Sequence, residues 1–399
     1  MNIVLTLILA GLTMVGPLAI DSYLPSFPAI AHTFDASPLL VQQTLSAFLF
    51  TFAFMMLFYG TLSDSFGRRP VILLSLLLYI GASIGGASAS SVGWLLFWRV
   101  LQGVAAGAGP VVGRAIVQDR FTGAEAQQIL SNIMVVFGLV PAIAPVLGGW
   151  IQVGFGWRAI FWLMAGFGLL MLLVVQRALP ESLAPEQRHP FHFGRIAANY
   201  WQVLRHRQFL LVALAIGLSF GGFGLYIGSA AYFVLNILHL PETAFAWLFL
   251  PLISGLVLGS GLAGKLGHRH PPQRLIKAGY ALMLLAALLN VGYNLLRPAE
   301  VPWMVMPLFL YAFALAILMA PMTLIALNYF PNHRGLASSL QSFVQMMVFA
   351  LMSGLVAPLL FDSAFKLACG MLAALGASGA CWLLARPAAE AVPAAQGMA

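Results

Sequence analysis

The chain predicts an all-α polytopic membrane protein, with twelve membrane-crossing helices arranged as two six-helix bundles around a central cavity. Three observations lead there. The 399 residues are 61% hydrophobic and only 8% charged, a composition foreign to a water-soluble globule. Apolar runs of about 20 to 25 residues, long enough to cross a bilayer as a helix, recur along the whole length. The few charges gather in short turns between those runs, where hydrocarbon does not have to accommodate them.

Taken in order, the spans cover about 3–25, 40–62, 71–90, 94–118, 127–152, 157–177, 209–236, 243–266, 273–296, 302–328, 336–361 and 366–386. The first resembles a signal-peptide core, but no basic stretch precedes Asn2–Ile20 and no small-residue cleavage site follows, so it reads as a retained span. Gly60 to Pro70, with Asp64, Arg68 and Arg69, divides the second span from the third. Between the sixth and seventh spans lies the one long polar segment, 179–208, carrying Pro180, Pro185 and Pro190. It is the natural linker. Its second part, 193–205, alternates apolar and basic residues at helical spacing, as a helix lying in the headgroup region does.

This organisation gives an N-terminal bundle at 1–178, a cytoplasmic linker with an amphipathic segment at 179–208, and a C-terminal bundle with a short tail at 209–399. The halves look like a worn repeat. Gly264 to Arg269, between spans eight and nine, occupies the place that Gly60 to Arg69 holds in the first half, but lacks the aspartate.

The net charge of +8 does not point to nucleic acid, because the basic residues are scattered over loops rather than gathered on a face. Topology accounts for them. Of the 19 Lys and Arg residues, Arg99 and Arg114 fall within spans and Arg158, Arg297 and Lys366 on one side. All the others, beginning with Arg68 and Arg69, fall on the opposite side, which is therefore cytoplasmic and holds both termini. Cys369 and Cys381 share one helix about 18 Å apart, too far to bond.

Three motifs sharpen this picture. Gly60, Asp64, Gly67, Arg68 and Arg69 form the first; Arg99-Val100-Leu101-Gln102-Gly103 the second; Pro141 to Gly149, with Pro145 and Gly148, the third. Together they resemble the signature elements of the major facilitator superfamily. Asp21-Ser22-Tyr23-Leu24-Pro25 and Arg114 to Asp119 narrow the resemblance to its Bcr/CflA-type drug:proton antiporters. Ala144 stands where the helix-five antiporter element has a glycine.

With 11 acidic residues, every carboxylate can be placed. Only Asp21 falls within a span, toward the outer end of the first. An acid there costs about 2.5 to 3.5 kcal/mol on insertion scales and is rarely idle. A carboxyl whose surroundings alternate is what a proton carrier needs; the plainer alternative is a residue at the water boundary that caps the Pro25 kink. Arg99 lies at similar depth, so a pair with Asp21 is geometrically open, the alternative being bonds to neighbouring carbonyls. Arg114, 15 residues on, would project within about 60° of Arg99 on an ideal helix. It is equally a cavity charge or a snorkelling cation.

The resemblance implies that Asp64, Arg68 and Asp119, with Gly60, Gly67 and Arg69, latch the cytoplasmic ends of the bundles in the outward-facing state. Without it they would be a topology signal. Substrate contacts are expected among Tyr23, Asn132, Phe220, Phe223, Tyr226, Tyr311, Gln341 and Gln345. The expected activity is proton-coupled efflux of small amphipathic compounds by a monomer in the bacterial cytoplasmic membrane, driven by the proton gradient without a cofactor. A cavity holding Arg99 and Asp21, with or without Arg114, favours neutral, zwitterionic or weakly anionic substrates. Uptake by symport and export of a metabolite fit the same motifs. A membrane enzyme does not, since no His-Glu-x-x-His arrangement, Gly-x-Ser-x-Gly elbow or phosphate-binding Gly-Lys-Thr loop occurs.

Overall fold

The computed structural model describes residues 3–188, 193–267, 269–330 and 334–385. Pro190, His268 and the tail from residue 386 lie outside them. No strand occurs among the described residues, and 12 helical stretches are long and apolar enough to cross a membrane. Helix is the form such runs must take, because hydrocarbon offers no partner to a backbone N–H or C=O. Small polar side chains are satisfied in the same local way. Thr13 donates to the Ala10 carbonyl at 2.7 Å and Ser22 to the Leu18 carbonyl at 2.6 Å.

The first half runs α1 (Ile3–Asp21), a 3-10 turn (Leu24–Ser26), α2 (Phe27–Phe34), α3 (Pro38–Phe66), α4 (Arg68–Ala87), α5 (Val92–Ala106), α6 (Ala108–Arg120), α7 (Gly123–Phe155) and α8 (Trp157–Ala178). Local chemistry sets the ends. Ser37 caps α3 by accepting from the Leu40 N–H at 3.3 Å, and Ser91 caps α5 through the Trp94 N–H at 3.3 Å. A single glycine makes the turn from α3 to α4: Gly67 has φ 99, where a Cβ would be strained.

The second half runs α9 (Phe193–Leu204), α10 (Arg207–Gly228), α11 (Ala230–Tyr232), a π turn (Phe233–Ile237), α12 (Ala246–Gly267), α13 (Pro272–Leu296) and a 3-10 turn (Trp303–Val305). Then come α14 (Met306–Asn328), α15 (Arg334–Leu351), a second π turn (Met352–Val356), α16 (Ala357–Leu360) and α17 (Ala364–Ala385). The amphipathic segment ahead of the seventh span is α9. It packs against α15, burying Val203 and leaving Trp201 exposed.

Contacts group the chain into two compact units, Met1–Phe191 with Gly228–Ile253, and His192–Ile227 with Ser254–Ala399. Within the first, α1 lies against α6, α7 and α8, α3 against α5, and α4 against α5 and α8. The approach of α5 to α3 depends on Gly103, where a Cβ would overlap the Phe48 carbonyl and the Thr51 hydroxyl. In the second unit α13 pairs with α14 and α17, and α14 with α15. Large apolar side chains such as Leu74, Trp150, Phe155 and Leu288 stay exposed on these helices, a surface that suits hydrocarbon and not water.

Two expectations need correction. The first span does not stop near residue 25 but continues to Phe34, because Pro25 and Pro28 fall in the first turns of the 3-10 turn and of α2, where a missing N–H costs nothing. Asp21 therefore closes α1 in the middle of the span rather than near its outer end. The fourth span is broken at Gly107 into α5 and α6, since Pro110 has no N–H to offer the Ala106 carbonyl. The ideal-helix angle between Arg99 and Arg114 does not carry through that break.

Candidate functional site

Arg99, near the middle of α5, is 0% exposed. Its guanidinium lies against two rings, with Cζ 4.5 Å from the Tyr23 centroid and 4.4 Å from that of Phe48, where the π faces attract a cation. Nη1 donates to the Ala19 carbonyl at 3.1 Å and to Gln102 Oε1 at 2.9 Å. One helical step of three residues brings Gln102 beside Arg99, and its amide then donates to Ser83 Oγ at 2.8 Å. Tyr23 is held in turn by a 2.7 Å bond between its hydroxyl and Thr44 Oγ1. Nε and Nη2 of Arg99 are buried without a partner. Leaving such donors unsatisfied costs about 1 to 3 kcal/mol each, more for a charged group.

Asp21 is 4% exposed, enclosed by protein. Among the described residues no Lys, Arg or His nitrogen comes within 4.0 Å of its carboxylate. The pair with Arg99 that the sequence left open is not formed here. Arg99 bonds instead to a main-chain carbonyl of the same helical turn, that of Ala19.

On the other side of Asp21, the double glycine of α7 closes in on the interruption of the first span. A Cβ at Gly148 would overlap the Ser22 carbonyl, and one at Gly149 the Glu242 carbonyl. Ser26 Oγ donates to Gln152 Oε1 at 3.2 Å, one turn further along α7. Pro141 and Pro145 sit inside the uninterrupted α7. Glu242, in the loop before α12, is partly buried, which raises its carboxyl above the ordinary glutamate range.

The charged turn assembles as a cluster. Arg68 is 6% exposed; its Nη1 donates to Asp64 Oδ1 and, at 2.7 Å, to Ser63 Oγ. Nε reaches Asp119 Oδ2 at 3.0 Å and Nη2 reaches Asp119 Oδ1 at 3.4 Å, a two-pronged grip on the end of α6. The residues all belong to the first unit. Gly60 lies in the last turns of α3, and Arg69 turns its Nη2 to the Gln176 carbonyl at 2.6 Å. The counterpart in the second half is bare: Gly264, Lys265 and Arg269 are exposed.

The remaining expected residues separate into struts and surfaces. Tyr226 and Tyr311 are each 1% exposed. Asn290 donates to the Tyr226 hydroxyl at 2.7 Å, and Tyr311 donates to the Ser219 carbonyl at 2.9 Å. Gln341 and Gln345, one turn apart on α15, bond to each other at 3.3 Å. Phe220 stacks on Phe223 and meets Phe349, both with centroids at 5.4 Å. Asn132 is half-buried on α7 and Arg114 is exposed on α6. Among the described residues no group of His, Cys, Asp or Glu is placed to hold a metal.

Sequence reading missed Gln102 as a ligand of Arg99, Asn290 as the partner of Tyr226, and Ser63, Glu181 and Ser182 around Arg68. A signal existed for the first two, since amides in apolar helices are costly unless partnered. None existed for Glu181, which reads as an ordinary linker acid.

Twelve candidate spans, with a buried arginine beside a broken first span, fit a polytopic membrane transporter. The chain belongs to the Major Facilitator Superfamily, whose family model matches residues 9–353. A bicyclomycin resistance protein homolog of Haemophilus influenzae is 31% identical over 90% of both chains. The multidrug transporter MdfA of Edwardsiella ictaluri is 26% identical over 83% of this chain and 80% of its own. The Bcr/CflA-type membership expected from the motifs therefore holds. Among solved structures, a bacterial homolog of the human lysosomal transporter Spinster superposes with a TM-score of 0.74 at 18% identity, covering 98% of each chain. The human organic anion transporter MFSD10 gives 0.72 at 19% identity, over 96% of this chain and 99% of its own. These two likenesses concern the fold.

Proposed function

We propose that the protein exports small amphipathic compounds, drugs among them, across the bacterial cytoplasmic membrane in exchange for protons, by alternating access. The observation that carries this reading is a buried Arg99 with unpartnered Nε and Nη2, anchored on the Ala19 carbonyl two residues before a buried Asp21. The names of two relatives, a bicyclomycin resistance protein homolog and a multidrug transporter, support export of drug-like substrates. Both termini face the cytoplasm, the chain works as a monomer, and the proton gradient drives it without a cofactor.

In this reading Asp21 takes a proton from the outer side and substrate leaves. Inward reorientation then returns the proton to the cytoplasm. The membrane potential adds about 2.3 kcal/mol per charge per 100 mV. Arg99, anchored on Ala19 within the same helical turn as Asp21, has two unpartnered nitrogens that an ionised Asp21 or an acceptor on the substrate can take in turn. That competition favours neutral, zwitterionic or weakly anionic substrates. Asp64, Arg68 and Asp119 hold the outward-facing state, and of the three Asp64 is the one open to solvent, where a pair is cheapest to break.

The test is Asp21→Asn in proteoliposomes with an imposed proton gradient. Gradient-driven export should vanish while insertion and thermal stability in detergent stay near wild type. Full retained export would refute the carrier assignment, and a panel led by dications would refute the charge preference.

A further inference from the structure

The segment 179–188 leaves α8 and folds back onto the charged turn, and Glu181 organises it. Oε1 accepts the N–H groups of Arg68 at 3.0 Å, Ser182 at 2.9 Å and Leu183 at 3.0 Å, while Oε2 accepts that of Arg69 at 3.2 Å. Arg68 and Arg69 open α4, so their N–H groups have no partner within the helix. The carboxylate also lies where the helix dipole favours negative charge. The residue in the capping position, Gly67, has no side chain to do this. A Cβ there would come within 2.7 Å of Glu181 Oε2 and 3.0 Å of Arg188 Nη2, so glycine serves both the turn, at φ 99, and the space for the cap.

A second tie closes the circuit. Ser182 Oγ donates at 2.8 Å to Asp119 Oδ2, the oxygen that also accepts Arg68 Nε at 3.0 Å. Arg120 Nη2 reaches the Glu181 carbonyl at 3.4 Å. Arg68, Asp119, Ser182 and Glu181 thus form one ring of bonds, with Asp64 attached to it through Arg68, and together they join the ends of α3, α4 and α6 to the chain leaving α8.

We propose that Glu181 is the third carboxylate of the latch, a positioning residue that fixes the start of α4 so that the Arg68 guanidinium meets Asp64 and Asp119 together. The proposal rests on the reading of that cluster as a latch for the outward-facing state. Glu181 touches only the Arg68 main chain, so its effect must pass through the direction of the Arg68 side chain. The start of the linker becomes part of the switch.

The experiment uses the full chain in liposomes, with Cys369 and Cys381 replaced by serine and a pair of spin labels reporting the ratio of outward- to inward-facing molecules. Glu181→Gln should lower that ratio about tenfold, since it weakens charge-assisted bonds to two helix N–H groups. Asp119→Asn should lower it in the same direction, and the double variant should fall no further than the larger single change. Glu181→Asp should recover part of the ratio, and Glu186→Gln, exposed on the same segment, should leave it unchanged. If Asp119→Asn shifts the ratio and Glu181→Gln does not, the proposal is overturned and the latch reading survives. If neither shifts it, the latch reading falls and takes the proposal with it. Additive shifts overturn the positioning role. Should Glu181→Gln fail to assemble, Ser182→Ala removes one tie to Asp119 and should lower the ratio about twofold to threefold; no response overturns the proposal.

Discussion

Arg68 and Arg99 are both buried arginines in the first unit, yet their bonding differs in kind. Arg68 spends Nε, Nη1 and Nη2 on Asp64, Asp119 and Ser63. Arg99 uses Nη1 alone, on Ala19 and Gln102, and rests its plane on Tyr23 and Phe48. A fully bonded cation is a fastener: it holds one geometry and releases only when several partners let go together. A cation with buried donors to spare is a reserve, able to gain a partner without first losing one. The first suits the choice of which way a transporter opens, the second the exchange of proton for substrate.

The comparison breaks most directly at Arg99. Arg99→Ala should reduce gradient-driven export in proteoliposomes at least about a hundredfold, because a transition that gains two charge-assisted bonds loses about 1.5 to 3 kcal/mol for each. Arg99→Lys should recover little, since an ammonium can neither lie flat on the rings nor offer a planar fork. A lysine variant with wild-type export would remove the distinction between the two sites. The next effect is at Arg68. Arg68→Ala should shift the balance toward the inward-facing state about tenfold, as read by spin-label distances, while leaving substrate affinity within about twofold.

Smaller effects sharpen the comparison. Gly103→Val should lower the stability of the purified protein by about 1 to 3 kcal/mol, because overpacking would push α5 from α3 and lift Phe48 off Arg99. Gly113→Ala is the control: its Cβ would meet Leu9 Cδ2 at an ordinary 3.9 Å, and the unfolding temperature should not move. Smallest is Arg269→Ala in the bare counterpart turn. With Arg269 exposed, the conformational balance should change by less than about twofold, and a shift as large as that of Arg68→Ala would mean the worn repeat still works.

The spans were legible in the sequence because a hydrocarbon solvent leaves helix as the sole option for an apolar run. The Arg68 cluster was legible only through the resemblance to a known motif, because charges in a turn between two spans read by themselves as a topology signal. The surroundings of Arg99 were not. Its bond to the Ala19 carbonyl depends on where α1 stops, and that follows from two prolines placed so that the chain can bend and resume. Glu181 was the least legible of all. It meets α4 through main-chain N–H groups that every residue carries, and no residue type on the α4 side announces that it will be capped from more than a hundred positions away.

The two π turns, Phe233–Ile237 just beyond the seventh span and Met352–Val356 late in the eleventh, each leave the backbone with a surplus to place. Each winds more residues into its turn than an α-helix does. Letting that surplus residue pass along the helix would turn the side chains it passes by about 100°, the angle of a single α-helical step. Such a segment would act as a ratchet tooth, presenting a different row of side chains while the ends of the helix stay where they are.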